Sequence, residues 1–179
     1  MVDERRPLSY RRTSRAVHDP AAAAADTSMA ASFPPRNYHV APAAAWSRLI
    51  EVQGFGQRYV DAHGATKGTV TIRANQISRY ITFGVPATSI GNPGSGWGFT
   101  VVLTGQDGFS PDKARAFTAT AGSYTFGECA TTSSDPHCTV DPSTVPKAVD
   151  VLTLPGVLQS NELDYTLHNP VTLSGVVIP

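Results

Sequence analysis

The sequence predicts an all-β fold, an antiparallel two-sheet β-sandwich. Short segments rich in Val, Ile, Thr, Tyr and Phe recur after residue 45, and Gly, Pro, Asn and Asp break them at close intervals. Helix signals are few. A chain of 179 residues fits one domain, with a core large enough to hold without cofactors or several disulfides.

Taken in order, "SRLIEVQGFG" (Ser47 to Gly56) and "RYVDA" lead to the turn pair His63-Gly64. "TKGTVTIRA" then places Val70 and Ile72 on one face. "ISRYITFGVP" alternates more cleanly, with Ile77, Arg79, Ile81, Phe83 and Val85 on one side and Ser78, Tyr80 and Thr82 on the other. Such alternation points to antiparallel strands with one dry and one wetter face. Asn75-Gln76 suits a tight turn between these two strands, because Asn tolerates the left-handed conformation of a two-residue hairpin loop.

In "GWGFTVVLTG", Phe99, Val101 and Leu103 on one face are matched by Thr100, Val102 and Thr104 on the other, which predicts a central strand covered on both faces. "SPDKARAFT" reads as a short helix, with Ser110 as cap, Pro111 at the first helical position and Asp112 complementing the helix dipole. Later strands are expected at "SYTFGE" (Ser123 to Glu128), "AVDVLT" (Ala148 to Thr153) and "TLSGVVI". Strand count, spacing and turn chemistry favour a sandwich over a barrel.

Charge narrows the partner classes. The chain has 14 basic and 14 acidic residues, so no global field draws it to nucleic acid or to an anionic membrane. No apolar run reaches about 18 residues, the length that would span a bilayer as a helix. Arg5, Arg6, Arg11, Arg12 and Arg15 crowd the start, but the five alanines of "HDPAAAAADTS" are closed off by Pro20 and Asp26 and fall short of an export-signal core of about 7 to 15 apolar residues. Residues 1–25 are therefore expected to be a disordered basic and Ala-rich tail, since "RRPLSYRRTSR" has neither helical nor strand periodicity.

Cys129 and Cys138 enclose the polar "ATTSSDPH". A disulfide there would stabilise by about 2–3 kcal/mol and favours an oxidising compartment. Metal binding with His137 as a third donor is the weaker reading, because the spacing matches no usual zinc pattern and leaves a tetrahedral site short of ligands.

The segment "GNPGSGWGFTVVLTGQDGFSPDKARAFTATAGSYTFG", followed by "PKAVDVLTLPGVLQSNEL", resembles the C-terminal DOMON-like module of glucodextranases, which also ends some archaeal amylopullulanases. The resemblance runs upstream through "FPPRNYHVAPAAAWSRLIEVQGFGQRYVDAHGATKGTVTIRA", with its Pro-x-Arg-Asn motif, Trp and Gly-aromatic-Gly, and covers about Asp26 to Asn161. It implies that residues 26–179 are a β-sandwich accessory module of a secreted or surface-attached α-glucan-degrading enzyme. Such modules are non-catalytic, are covalently linked to a glycosidase domain, and bind carbohydrate or hold the enzyme at the cell surface. Family modules open with an acidic Gly-Asp-Asp-type stretch and several strands ahead of the Pro-x-Arg-Asn region. Here a basic segment stands in that place, so a module incomplete on its N-terminal side is expected. The alternatives are a structural remnant without a ligand site and an accessory part of a glycoside hydrolase.

Three chemistries are open to such a chain. Sugar binding needs aromatic platforms for the apolar faces of pyranose rings, with polar groups nearby for the hydroxyls. Trp46, Tyr59, Tyr80 and Trp97 are the candidates, beside Tyr38, with Gln106 and Asp107 as hydrogen-bonding contacts. Tyr80 is the best placed, on the polar side of an alternating strand, whereas Trp97, between two glycines, also suits a plug at the sandwich end. Calcium would draw on Gln106, Asp107 and Asp112, but the repeated acidic spacing of a calcium loop is missing, and no cofactor is expected. Asp107 reads equally as the anchor of its own turn between Gly105 and Gly108. Glycosidase chemistry needs two carboxyl groups about 5–9.5 Å apart, and nothing in the sequence pairs Asp107 with Asp150. No serine sits in a nucleophile elbow to work with His39 or His168.

Overall fold

The computed structural model describes residues 11–22, 36–53, 56–75, 77–78, 80–106, 114–118, 125–127, 146–148, 150–165, 167–168 and 170–179, with the backbone alone at 11–15, 106, 114–118 and 125–127. The first strands are β1 (Arg11–His18), β2 (Tyr38–Val40), β3 (Arg48–Gln53) and β4 (Gly56–Asp61). β5 (Thr71–Asn75), β6 (Tyr80–Gly84), one helical turn α1 (Ala87–Ile90) and the long β7 (Gly98–Gln106) follow. β8 (Ala114–Thr118), β9 (Thr125–Gly127), β10 (Asp150–Val151), a turn α2 (Gln159–Glu162), β11 (Val171–Leu173) and β12 (Val176–Val177) complete the described elements. The fold is all-β and its sheets are not closed into a barrel, consistent with the sandwich-type module expected.

The main sheet runs β4-β3-β1-β7-β8-β9, with β10 and β12 also on β7. Every residue of β7 from Gly98 to Gly105 pairs with β1 on one edge. The other edge is covered in relay: β12 opposite Gly98 and Phe99, β10 opposite Val102 and Leu103, β8 opposite Gly105 and Gln106. Such a relay satisfies the long strand's backbone groups on both sides without a second strand of equal length.

The parallel pair β2–β11 forms the layer over one face, with Tyr38 opposite Val171 and Val40 opposite Leu173. Its inward side chains meet Ala16, Leu49, Val60, Val102 and Val151 of the main sheet, with Trp46, Leu163 and Tyr165 closing the ends of this core. The antiparallel hairpin β5–β6 covers part of the opposite face, where Ile81, Phe83, Val85 and Ile90 pack on a second cluster of Ile50, Val52, Tyr59 and Val70. The expected alternation of β6 is present: Ile81 and Phe83 are half-buried while Tyr80 and Thr82 are exposed.

Several expectations are corrected. Arg11–His18, placed in the disordered tail, is instead the strand β1 in the interior of the sheet, in register with both β3 and β7. Its order comes from backbone ladders on two edges and from the buried Ala16 and Val17, neither of which a search for side-chain periodicity detects. Ala114–Thr118, expected in the short helix, is β8, because pairing with the end of β7 outweighs local capping signals. The hairpin register pairs Asn75 with Tyr80, so four residues separate the last paired positions, where the sequence predicts a two-residue turn at Asn75-Gln76. Asn75 organises that loop by accepting the backbone N–H groups of Ile77 and Ser78 at 2.9 and 3.0 Å.

The central strand is also more lopsided than its composition suggests. Thr100, Val102 and Thr104 are completely buried, while Phe99 and Val101 are half-buried. With Leu152, Val176 and Ile178, these last two line a shallow apolar depression of about 420 Å³. Small side chains on the core-facing side let the second layer approach closely.

Candidate functional site

The predicted aromatic residues separate by burial. Trp46, Tyr59 and Trp97 are 3, 2 and 7 % exposed, and Tyr80 is 71 % exposed. A ring withdrawn from water cannot offer its face to an outside ligand, which removes the two tryptophans and Tyr59 as platforms. Trp46 belongs to the main core, and Tyr59 donates its hydroxyl to the Ser89 carbonyl at 2.7 Å, tying β4 to α1. Trp97 is the plug: its ring lies against Gly91, its carbonyl accepts the Ile178 N–H at 2.8 Å, and the neighbouring Gly96 N–H donates to the Ile178 carbonyl at 3.0 Å, which lengthens the β12 pairing. Tyr38 is buried beside Arg36.

Gln106 ends β7, with its backbone opposite Ala114. Asp107, Asp112, Cys129, His137 and Cys138 lie outside the described residues, so the calcium and disulfide expectations fall there too. His39, Asp150 and His168 are exposed and belong to different elements. Among the described residues no cluster of three or more His, Cys, Asp or Glu could hold a metal ion.

What the structure brings together around Tyr80 is a small polar patch. The register sets Tyr80 opposite Asn75 and Thr82 opposite Arg73, so these four residues share the outer face of the β5–β6 hairpin. All four are exposed. Asn75 Oδ1 is engaged in the loop, and Thr82 Oγ1 donates to the Arg73 carbonyl at 3.3 Å, which firms the pair without occupying the guanidinium. The patch is held from behind by Ile81 and Phe83 on the second core cluster, which orients Tyr80 outward on a supported strand rather than on a loop. The sequence alone does not single out Arg73, Asn75 and Thr82 as neighbours of Tyr80. The signal that would have found them is the cross-strand register, which depends on the loop length.

A second missed feature is a charge network inside the sandwich. Arg36 Nη1 donates to Glu51 Oε1 at 2.7 Å with both side chains buried, and Arg58 Nη2 bonds the other carboxylate oxygen. Burial works against the Arg36 charge, but attraction to and hydrogen bonds with Tyr38 and Glu51 hold its pKa above the ordinary arginine value. Lys147 is buried nearby, its backbone N–H donating to the Arg36 carbonyl at 2.9 Å, and burial lowers the pKa of its ammonium. Glu51 sits in phase with Leu49 on the dry side of an apolar strand. A carboxylate there requires a buried cation, and that is the signal the sequence offered.

The described residues thus form an all-β fold in which an exposed tyrosine stands on the β5–β6 hairpin, while the buried charges around Glu51 pair with one another on the opposite face of the main sheet. The model of one family, the C-terminal, SLH-like binding module of glucodextranase, matches residues 21–175, and the chain belongs to that family. No curated protein matches the chain. Membership supports a binding, accessory role. No described helix is long and apolar enough to cross a membrane, which leaves β-barrel spans untouched.

Proposed function

We propose that this chain is a non-catalytic, extracellular or surface-located carbohydrate-binding module, and that its ligand, an α-glucan or a cell-surface glycan, stacks on Tyr80. The observation that supports the reading is Tyr80 itself, 71 % exposed and flanked on one strand face by Asn75, Thr82 and Arg73. An aromatic ring backed by a packed strand supplies the flat apolar surface that a pyranose face requires, and the neighbouring amide, hydroxyl and guanidinium groups supply hydroxyl contacts. Family membership supports the binding role.

Native affinity electrophoresis in gels containing pullulan, dextran, maltodextrin or polygalacturonate tests it. At least one polysaccharide is expected to retard the protein, and Tyr80→Ala is expected to weaken that retardation about tenfold or more. A protein that migrates identically in every gel would overturn the reading. Reducing-sugar assays on the same panel are expected to show no release.

A further inference from the structure

We infer that the Tyr80 surface selects an acidic glycan of the uronate type, with the sugar ring on Tyr80 and its carboxylate on Arg73; this rests on the hairpin being the glycan platform. Tyr80 and Arg73 are diagonal neighbours across the hairpin, since Arg73 pairs with Thr82 and Asn75 with Tyr80. Diagonal positions on one sheet face lie about 7–8 Å apart, within reach of long side chains. A uronic acid carries its carboxylate on the pyranose ring itself, so one sugar residue spans from the aromatic ring to the guanidinium. A phosphodiester-linked polymer places its charge between sugars and fits this spacing less directly.

The distribution of charge points the same way. Between Asp61 and Asp107 the sequence contains no Asp or Glu, while Lys67, Arg73 and Arg79 supply cations. Lys67 is engaged with Asp61 at 2.6 Å, and among the described residues Arg73 has no ion-pair partner. The chain as a whole is neutral, so the attraction is local, as screening over about 8 Å at physiological ionic strength demands. The patch is also rich in donors. Arg73 offers only N–H groups, and Asn75 has its carbonyl oxygen committed to the loop amides, leaving its NH₂. None of the four residues Arg73, Asn75, Tyr80 and Thr82 is a carboxylate that would accept the hydroxyl protons of a neutral glucan. An anionic ligand matches such a surface, because its carboxylate accepts charge-assisted hydrogen bonds from a planar guanidinium.

The test compares retardation by polygalacturonate, pullulan, dextran and phosphomannan, at low and at physiological ionic strength, for the wild type, Arg73→Gln and Tyr80→Ala. Both substitutions fall on exposed positions, and coincident thermal melts confirm that the variants are folded. Polygalacturonate is expected to bind about tenfold or more tightly than the neutral glucans, and each substitution is expected to weaken it about tenfold or more. Equal binding of pullulan, dextran and polygalacturonate, sensitive to Tyr80→Ala and insensitive to Arg73→Gln, overturns the acidic-glycan inference and leaves the platform reading intact. Tighter binding of phosphomannan overturns the uronate assignment. Polygalacturonate binding lost with Arg73→Gln but untouched by Tyr80→Ala is plain ion exchange and overturns the inference. Absence of binding to every polymer overturns both.

Discussion

The Arg36 guanidinium donates to Glu51 at 2.7 Å, with the two side chains 2 and 1 % exposed. Arg36 is the arginine of the Pro-x-Arg-Asn motif, and Glu51 lies in β3, so the pair ties the entry to β2 to the middle of the main sheet. The following residue, Asn37, adopts a left-handed φ of 57°, and the chain then enters β2 at Tyr38. The motif therefore reads as a structural clamp, not as ligand chemistry.

Removing one member of this cluster strands the other charge in the interior. Glu51→Leu is expected to destabilise the fold by about 3–5 kcal/mol, because Arg36 then keeps its charge without a carboxylate. The double variant Arg36→Leu/Glu51→Leu is expected to cost less than Glu51→Leu alone, since apolar groups of similar volume often replace a buried ion pair at little loss. Urea unfolding of the three proteins measures both differences. A double variant less stable than Glu51→Leu would count against the clamp.

Acid is expected to loosen the turn after β4. Asp61 accepts the Lys67 ammonium and the backbone N–H groups of Ala65 and His63, and its pKa is lowered from 3.8 to about 2, chiefly by the Lys67 hydrogen bond. The folded value lies below the ordinary one. The contribution is thus complete above about pH 4 and is lost as pH falls towards 2. Carboxylate chemical shifts of Asp61 should titrate with a midpoint near 2, with faster exchange of the Ala65 amide over the same interval, and Lys67→Ala should move the midpoint upward.

The strands most legible in the sequence are those with one wet face. The phase of "ISRYITF" puts Ile81 and Phe83 inside and Tyr80 outside, and the structure agrees, whereas Ile77, expected on the same dry side, stands in the turn before β6 at 96 % exposure. β1 was illegible because its sequence, RRTSRAVH, shows no alternating apolar pattern, and its place is set by two neighbouring strands remote in sequence. Over β8 the local sequence favours helix because capping residues act locally, whereas the end of β7 that recruits Ala114 and Arg115 does not show in a short window. Aromatic content alone could not divide Trp46 and Trp97 from Tyr80, since large rings serve cores and platforms alike. Only Tyr80 came with an alternation that assigned it a face.

The Trp97 plug depends on a glycine beneath it. Gly91 has φ of 104°, and a Cβ there would stand 2.8 Å from Trp97 Cη2. Gly91→Ala therefore combines an unfavourable backbone conformation with a clash against a ring, and should destabilise by about 1–3 kcal/mol or more. Tryptophan emission should shift to the red as the ring is displaced. Gly64→Ala is the control: its φ of 81° is similarly left-handed but nothing lies within 4 Å, so a stability loss without any emission change is expected.

Burial also separates stability from binding. Trp46 fills the core at 3 % exposure, and Trp46→Ala should cost about 3–5 kcal/mol through lost transfer energy and the cavity left behind. Its folded fraction should bind glycan as the wild type does, because the β5–β6 hairpin rests on the other cluster, around Ile50, Val52, Tyr59 and Val70. Tyr80→Ala should show the reverse pattern, with an unchanged melt and weakened retardation. With both tryptophans buried, saturating glycan should leave tryptophan emission unmoved while shifting the ring resonances of Tyr80. A tryptophan signal that titrates with glycan would relocate the binding surface to the Trp97 end of the sandwich.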